Sequence, residues 1–115
     1  MRVIARDTLN GFVRNRVERR LQKSVKEHLD AWYAELTKAA WKSPAELKQQ
    51  FRSASIGSGA RVVFNVKGND YRLVAAINYH VQVIMIKWLG THGEYDSIDV
   101  EKVAYDGSRY ADASH

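Results

Sequence analysis

The sequence predicts an α+β fold, with helices gathered in its first half and an antiparallel sheet in its second. Three observations carry this. Between Leu9 and Leu36 the apolar residues recur at steps of three and four, the spacing of one helical face. Between Arg61 and Leu89 they alternate with period two, the spacing of a strand with one face buried. The only proline, Pro44, stands between these regions in a helix-entry motif rather than inside either pattern.

Residues 2–5 form a short first strand, with Val3 and Ile4 as its apolar content. Asp7 or Thr8 then caps a helix. The stripe that follows runs through Leu9, Phe12, Val13, Val17, Leu21, Val25, Leu29, Trp32, Tyr33 and Leu36. From Val13 to Leu29 every step is four. Four residues advance an ideal helix by about 400°, so the stripe drifts about 40° per step. One straight helix would carry it off any packing surface. A helical hairpin is expected instead, broken somewhere in Glu18–Lys26.

Ser43-Pro44-Ala45-Glu46 marks the next element sharply. Ser43 is placed to cap, Pro44 occupies the first helical position where its missing N–H costs little, and Glu46 completes a capping box. A short helix is expected over Pro44–Gln50. Ser53–Ile56 can form an edge strand, and Gly57-Ser58-Gly59 is a loop. Val62, Phe64 and Val66 alternate with Arg61, Val63 and Asn65. Lys67-Gly68-Asn69-Asp70 is a hairpin turn, with Gly and Asn as the residues that tolerate positive φ. Tyr71, Leu73, Ala75, Ile77 and Tyr79 then alternate with Arg72, Val74, Ala76 and Asn78. After a turn near Tyr79–His80, both alternating sets of Val81–Leu89 are largely apolar, as in a strand covered on both faces. There Val81, Val83, Met85 and Lys87 fall on one face, and Ile84, Ile86 and Trp88 on the other.

A chain of 115 residues supports one compact domain. That domain is expected over 1–105, with 106–115 a small, polar, flexible tail. Cysteine is absent, which removes disulfides, thiolate catalysis and cysteine-based zinc sites and fits a cytoplasmic setting. No apolar run approaches the roughly 20 residues of a membrane span. The first residues lack the apolar core of a signal peptide. The net charge of +5 is uneven: residues 1–90 hold 16 Lys and Arg against 7 Asp and Glu, and residues 91–115 hold 2 against 6. A basic body suits a polyanion, because each neutralised phosphate releases counterions. Arg14, Arg16, Arg19, Arg20, Lys23 and Lys26 are its densest run, either a solvated face or a contact for an RNA backbone.

His28, His80, His92 and His115 show no paired metal-ligand spacing, so no metal or cofactor is expected. Gly57-Ser58-Gly59 lacks the Lys-Ser/Thr ending of a nucleotide-phosphate loop. The densest chemistry lies in Gly90-Thr91-His92-Gly93-Glu94-Tyr95-Asp96, at the end of the most apolar strand. Metal-free RNA cleavage needs a base for the 2′-OH, an acid for the leaving 5′-oxygen, and cations for the developing phosphate charge. His92 and Tyr95 are suited to the proton transfers, and Arg72 and Lys87 to the charge. The same residues also have structural uses, His92 as a loop cap and Arg72 as the partner of a carboxylate. Arg61, Lys67, Asn69 and Lys42 are further candidates for binding RNA.

Three stretches resemble the HigB family of toxins. Ala40-Trp41-Lys42-Ser43-Pro44-Ala45-Glu46-Leu47-Lys48 resembles the family's helix entry. The stretch from Arg61 to Leu73 looks like its central hairpin. Gly90-Thr91-His92-Gly93-Glu94-Tyr95-Asp96 looks like its strand-end motif. The resemblance spans about residues 40–100, with residues 1–39 similar only in outline. It implies a RelE-like toxin fold, a first strand and helical hairpin followed by a short helix and an antiparallel meander. It implies a metal-independent endoribonuclease that inhibits translation by cleaving mRNA, in many relatives on the ribosome. It also implies a HigA-type antitoxin with a helix-turn-helix domain, through which alone operator DNA would be reached. Carried over residue by residue, it falls on His92, Tyr95 and Arg72, while Lys87 stands where Arg is expected in most relatives. Which of His92 and Tyr95 is acid and which is base stays open. A non-catalytic RNA-binding or regulatory module, or a protein whose basic surface docks a partner, would share the same charge.

Overall fold

The computed structural model describes residues 1–4 and 6–112. Strand β1 (Arg2–Ile4) leads into helix α1 (Asp7–Arg16), a single 3-10 turn (Arg19–Leu21) and helix α2 (Gln22–Lys38). Helix α3 (Pro44–Gln50) follows, then strands β2 (Ser55–Ile56), β3 (Arg61–Val66), β4 (Tyr71–Asn78) and β5 (Val83–Thr91). A one-turn helix α4 (His92–Tyr95) and a 3-10 turn (Gly107–Arg109) complete the chain. Ala5, the expected end of β1, lies outside the described residues.

The helical stripe does break, over Val17–Leu21, beginning one residue before the expected window. Val17 (φ −108°, ψ 132°) and Glu18 (φ −52°, ψ 134°) leave the helical region. Each helix then presents its own short stripe: Leu9, Phe12 and Val13 on α1, and Val25, Leu29, Trp32 and Leu36 on α2. The Gln22 amide donates to the Val17 carbonyl at 3.0 Å, serving a group freed by the break. Among the described residues no side chain caps α1, whose N-cap is Arg6 rather than Asp7 or Thr8. Helix α3 has the expected bounds, and Ser43 Oγ accepts from the Glu46 N–H at 3.3 Å.

The sheet runs β1-β5-β4-β3-β2. Strands β2 to β5 form the antiparallel meander expected. Strand β1 pairs in parallel with β5 through Arg2↔Val83, Val3↔Ile84 and Ile4↔Met85, so the whole sheet is mixed. At the β3–β4 turn the left-handed residues are Lys67 (φ 53°) and Gly68 (φ 64°), rather than Asn69. On one face of the sheet, Phe64, Leu73, Ile77, Ile84 and Leu89 pack against α1 and α2. On the other, Val63, Val74 and Trp88 are covered by Tyr95, Ile98, Val100 and Val103.

One irregularity rearranges β5. Val74 pairs with Trp88 but Ala75 pairs with Ile86, so a β-bulge leaves Lys87 as an extra residue. Strict alternation would put Trp88 on the face of Ile84 and Ile86. After the bulge it lies beside Val74, on the opposite face. Double coverage is accordingly confined to the end of the strand, and Met85 is 37% exposed.

The tail departs from expectation as well. Tyr110 is 3% exposed and belongs to the main core, and its hydroxyl accepts from the Leu89 N–H at 2.9 Å. The stretch beginning at Asp106 reads as fraying because its residues are small and polar. Tyr110 and Arg109 tie it to β5 at Leu89, and Asn15 of α1 donates to the Tyr110 carbonyl. Residues 113–115, which include His115, lie outside the described residues. Among the described residues no helix is long and apolar enough to cross a membrane.

Candidate active site

The site stands where the start of β4 meets the end of β5. Tyr71 pairs with Thr91, and Arg72 with Gly90. Thr91 starts α4 with a reciprocal capping box: its Oγ1 accepts from the Glu94 N–H at 3.1 Å, and Glu94 Oε1 accepts from the Thr91 N–H at 3.0 Å. The His92 N–H donates to the Asp70 carbonyl at 2.9 Å, tying α4 to the β3–β4 hairpin. His92 and Tyr95 are three residues apart, so they share one side of this single turn. His92 is exposed, while Tyr95 is half-buried against Trp88, with ring centroids 6.4 Å apart.

Arg72 joins them from β4. Its Cζ lies 5.9 Å from the centre of the Tyr95 ring, and its Nη1 donates to the carbonyls of Asn69 (3.0 Å) and Tyr71 (3.2 Å). Among the described residues Arg72 forms no ion pair. A cation facing an aromatic edge of the site, held by backbone carbonyls and uncommitted to a carboxylate, is suited to an anion.

Glu94 is committed instead. Its Oε2 meets Arg16 Nη2 at 3.1 Å and Arg109 Nη2 at 3.2 Å. Burial alone would raise its pKa, but the Thr91 N–H and the two guanidiniums outweigh burial and bring it down to about 2. Arg109 also lies over the Trp88 ring, 5.0 Å from its centroid. A carboxylate with a depressed folded-state pKa stabilises the fold above its unfolded value, near 4.5, and loses that contribution as pH falls towards 2. The Glu94→Gln protein is therefore expected to be less stable than the parent at pH 7. The gap in urea midpoint should close between about pH 4.5 and pH 2. A gap of constant size across that range would show that the ionised carboxylate is not what stabilises this corner.

The remaining sequence candidates are dispersed. Lys67 and Asn69 lie on the neighbouring hairpin, and the Asn69 carbonyl serves Arg72. Lys87 sits half-buried in the bulge, two residues before Trp88's neighbour Leu89. Arg61 pairs with Ala76 further along the sheet, and its Nη1 donates to the carbonyls of Val103 (2.7 Å) and Val100 (3.4 Å). It thereby holds down the segment covering the second apolar cluster. Lys42 is at the opposite end of the molecule, in a cleft of about 720 Å³ shared with Ala40, Tyr79, His80 and Gln82. The length of β4, roughly 20 Å at ~3.3 Å per residue, separates that cleft from Arg72.

Sequence reasoning missed Arg109 and gave Glu94 no role. Arg16 appears only as one member of the basic run. The signal for Arg109 was slight: two tyrosines, Tyr105 and Tyr110, in an otherwise polar tail. Among the described residues no group of three His, Asp or Glu is placed to hold a metal ion.

No curated protein matches the chain. A family model described as HigB_toxin, RelE-like toxic component of a toxin-antitoxin system, matches residues 25–98. The match runs from α2 through β5 and α4, well over half the chain, and includes Arg72, His92 and Tyr95. The protein therefore belongs to the HigB toxin family, the RelE-like toxic components of toxin–antitoxin systems.

Proposed function

We propose that this toxin is a metal-independent endoribonuclease that stops translation by cutting mRNA, with the ribosome as the place of cutting. The observation that carries this reading is one turn of helix: His92 and Tyr95 share a side of α4, with the Arg72 guanidinium 5.9 Å from the Tyr95 ring. An imidazole, a phenol and a guanidinium that forms no ion pair among the described residues supply the two proton-transfer groups and the cation that 2′-OH attack needs.

In the proposed step the 2′-oxygen attacks phosphorus and the bond from phosphorus to the 5′-oxygen breaks. One of His92 and Tyr95 takes the 2′-OH proton, and the other delivers a proton to the leaving 5′-oxygen. Arg72 neutralises the charge on the phosphorane, with Lys87 as a second cation. The products are a 2′,3′-cyclic phosphate, which opens to a 3′-phosphate, and a 5′-hydroxyl. Lys67 and Asn69 are placed to meet RNA flanking the cut. Arg61 and Lys42 are weaker candidates, given the bonds of the first and the distance of the second. A HigA-type helix-turn-helix antitoxin would neutralise the toxin in the cytoplasm and carry it to operator DNA.

The test is end chemistry. Purified protein is incubated with mRNA alone and with mRNA on programmed ribosomes, and the new ends are identified. Cyclic phosphate paired with 5′-hydroxyl is expected. Ends bearing 3′-hydroxyl and 5′-phosphate would refute the mechanism. Intact RNA in both reactions would favour a binding module without catalysis.

A further inference from the structure

Helix α4 has a single turn and no stability of its own. Whatever holds it sets the positions of His92 and Tyr95. Part of that hold comes from residues 105–110, which lie outside the family match. Among the described residues strand β1 pairs with β5 as far as Met85. The segment meets β5 at Leu89. The Tyr110 hydroxyl accepts from the Leu89 N–H at 2.9 Å, and Arg109 Nη2 donates to the Leu89 carbonyl at 3.3 Å. Asn15 donates to the Tyr110 carbonyl at 3.0 Å, Thr8 donates to the Tyr105 hydroxyl at 3.0 Å, and the two tyrosine rings stack 6.0 Å apart.

Two glycines make room for this docking. A Cβ on Gly11 would collide with the Tyr110 carbonyl. A Cβ on Gly90 would collide with the Trp88 ring and stand 2.8 Å from Arg109 Nη2. The segment thus fits places kept open for it on both α1 and β5. From there Arg109 spans three parts of the site: the Leu89 carbonyl at the strand end, the Trp88 ring that supports Tyr95, and the Glu94 carboxylate within α4.

We infer that Arg109 is a positioning residue, which fixes α4 through Glu94 and Trp88 and so holds His92 and Tyr95 in register with Arg72. This rests on the ribonuclease reading. Arg109 touches none of the reacting groups, so its loss acts on the turnover step rather than on RNA binding. A misplacement near 1 Å is enough to cost about 10²-fold in rate.

The full-length chain is tested as Arg109→Ala, Arg109→Lys and Glu94→Gln. Arg109→Gln, which keeps a planar group over Trp88, substitutes for Arg109→Ala if that protein does not fold. In Arg109→Ala, kcat on a model RNA should fall about 10- to 100-fold while KM stays within about 3-fold. Arg109→Lys should recover part of the loss, because an ammonium still reaches the carboxylate. Adding Glu94→Gln to Arg109→Ala should cost less than the product of the two single effects. Amide exchange at residues 92–95 should rise in Arg109→Ala while the β3–β4 core stays protected. A loss confined to KM would make Arg109 an RNA contact and overturn the inference. So would unchanged exchange at residues 92–95. If the parent cleaves no RNA, the ribonuclease reading fails. Faster exchange would still show that Arg109 orders α4, and unchanged exchange would refute that too.

Discussion

Replacing His92 with alanine should lower the rate of RNA cleavage by about 10²- to 10⁴-fold, the usual worth of a positioned proton-transfer group. The fold should not change. His92 is exposed, and its backbone N–H donates to the Asp70 carbonyl, a bond that alanine retains. The loss should therefore appear in single-turnover cleavage with no shift in melting temperature. Tyr95 needs a gentler substitution, because its ring packs on Trp88. Tyr95→Phe keeps the ring and removes only the hydroxyl. Its single-turnover rate should fall as well, without loss of the packing on Trp88. Cleavage by His92→Ala at the parental rate would remove the imidazole from the mechanism.

The second large effect is on stability. Phe12→Ala should destabilise the fold by about 3–5 kcal/mol, the range for emptying a buried phenylalanine site. A domain of this size has a total near 5–15 kcal/mol, so much of the protein would unfold under mild denaturant. Phe12 is fully buried where three parts of the chain meet. It projects from α1, and its ring meets Tyr71 of β4 in a T-shaped contact with centroids 5.7 Å apart and Tyr110 of the last segment at 6.5 Å. Alanine leaves a cavity that neither ring can fill without releasing its own partners. Urea unfolding followed by tryptophan fluorescence measures the loss. A change below about 1 kcal/mol would mean that the site collapses around the missing ring.

The elements written locally were the ones legible in the sequence. Helix α3 is read to the residue because Ser43, Pro44 and Glu46 form its entry within four positions. The break after α1 follows from the arithmetic of a stripe stepping by fours, although no residue there is a helix breaker. The candidate site was legible where its proposed members are near neighbours, as His92 and Tyr95 are on one turn. Arg72 was found on the adjacent strand because strand alternation and the hairpin turn bring it there.

What escaped depends on pairing between distant parts of the chain. Nothing in Arg2–Ile4 says that its partner is Val83–Met85 or that the pairing is parallel. The bulge at Lys87 carries no glycine or proline to mark it, yet it moves Trp88 to the opposite face. Arg109 sits among small polar residues, and only tertiary contact shows that it shares Glu94 with Arg16, more than ninety residues earlier in the chain.

The most direct measurement is growth after induced expression in a bacterium, with mapping of mRNA 5′ ends for the parental chain and for His92→Ala. A ribonuclease toxin centred on α4 gives growth arrest and new mRNA 5′ ends with the parent, and neither with the mutant. Growth arrest with intact mRNA, or new ends that persist in a folded His92→Ala protein, would contradict it.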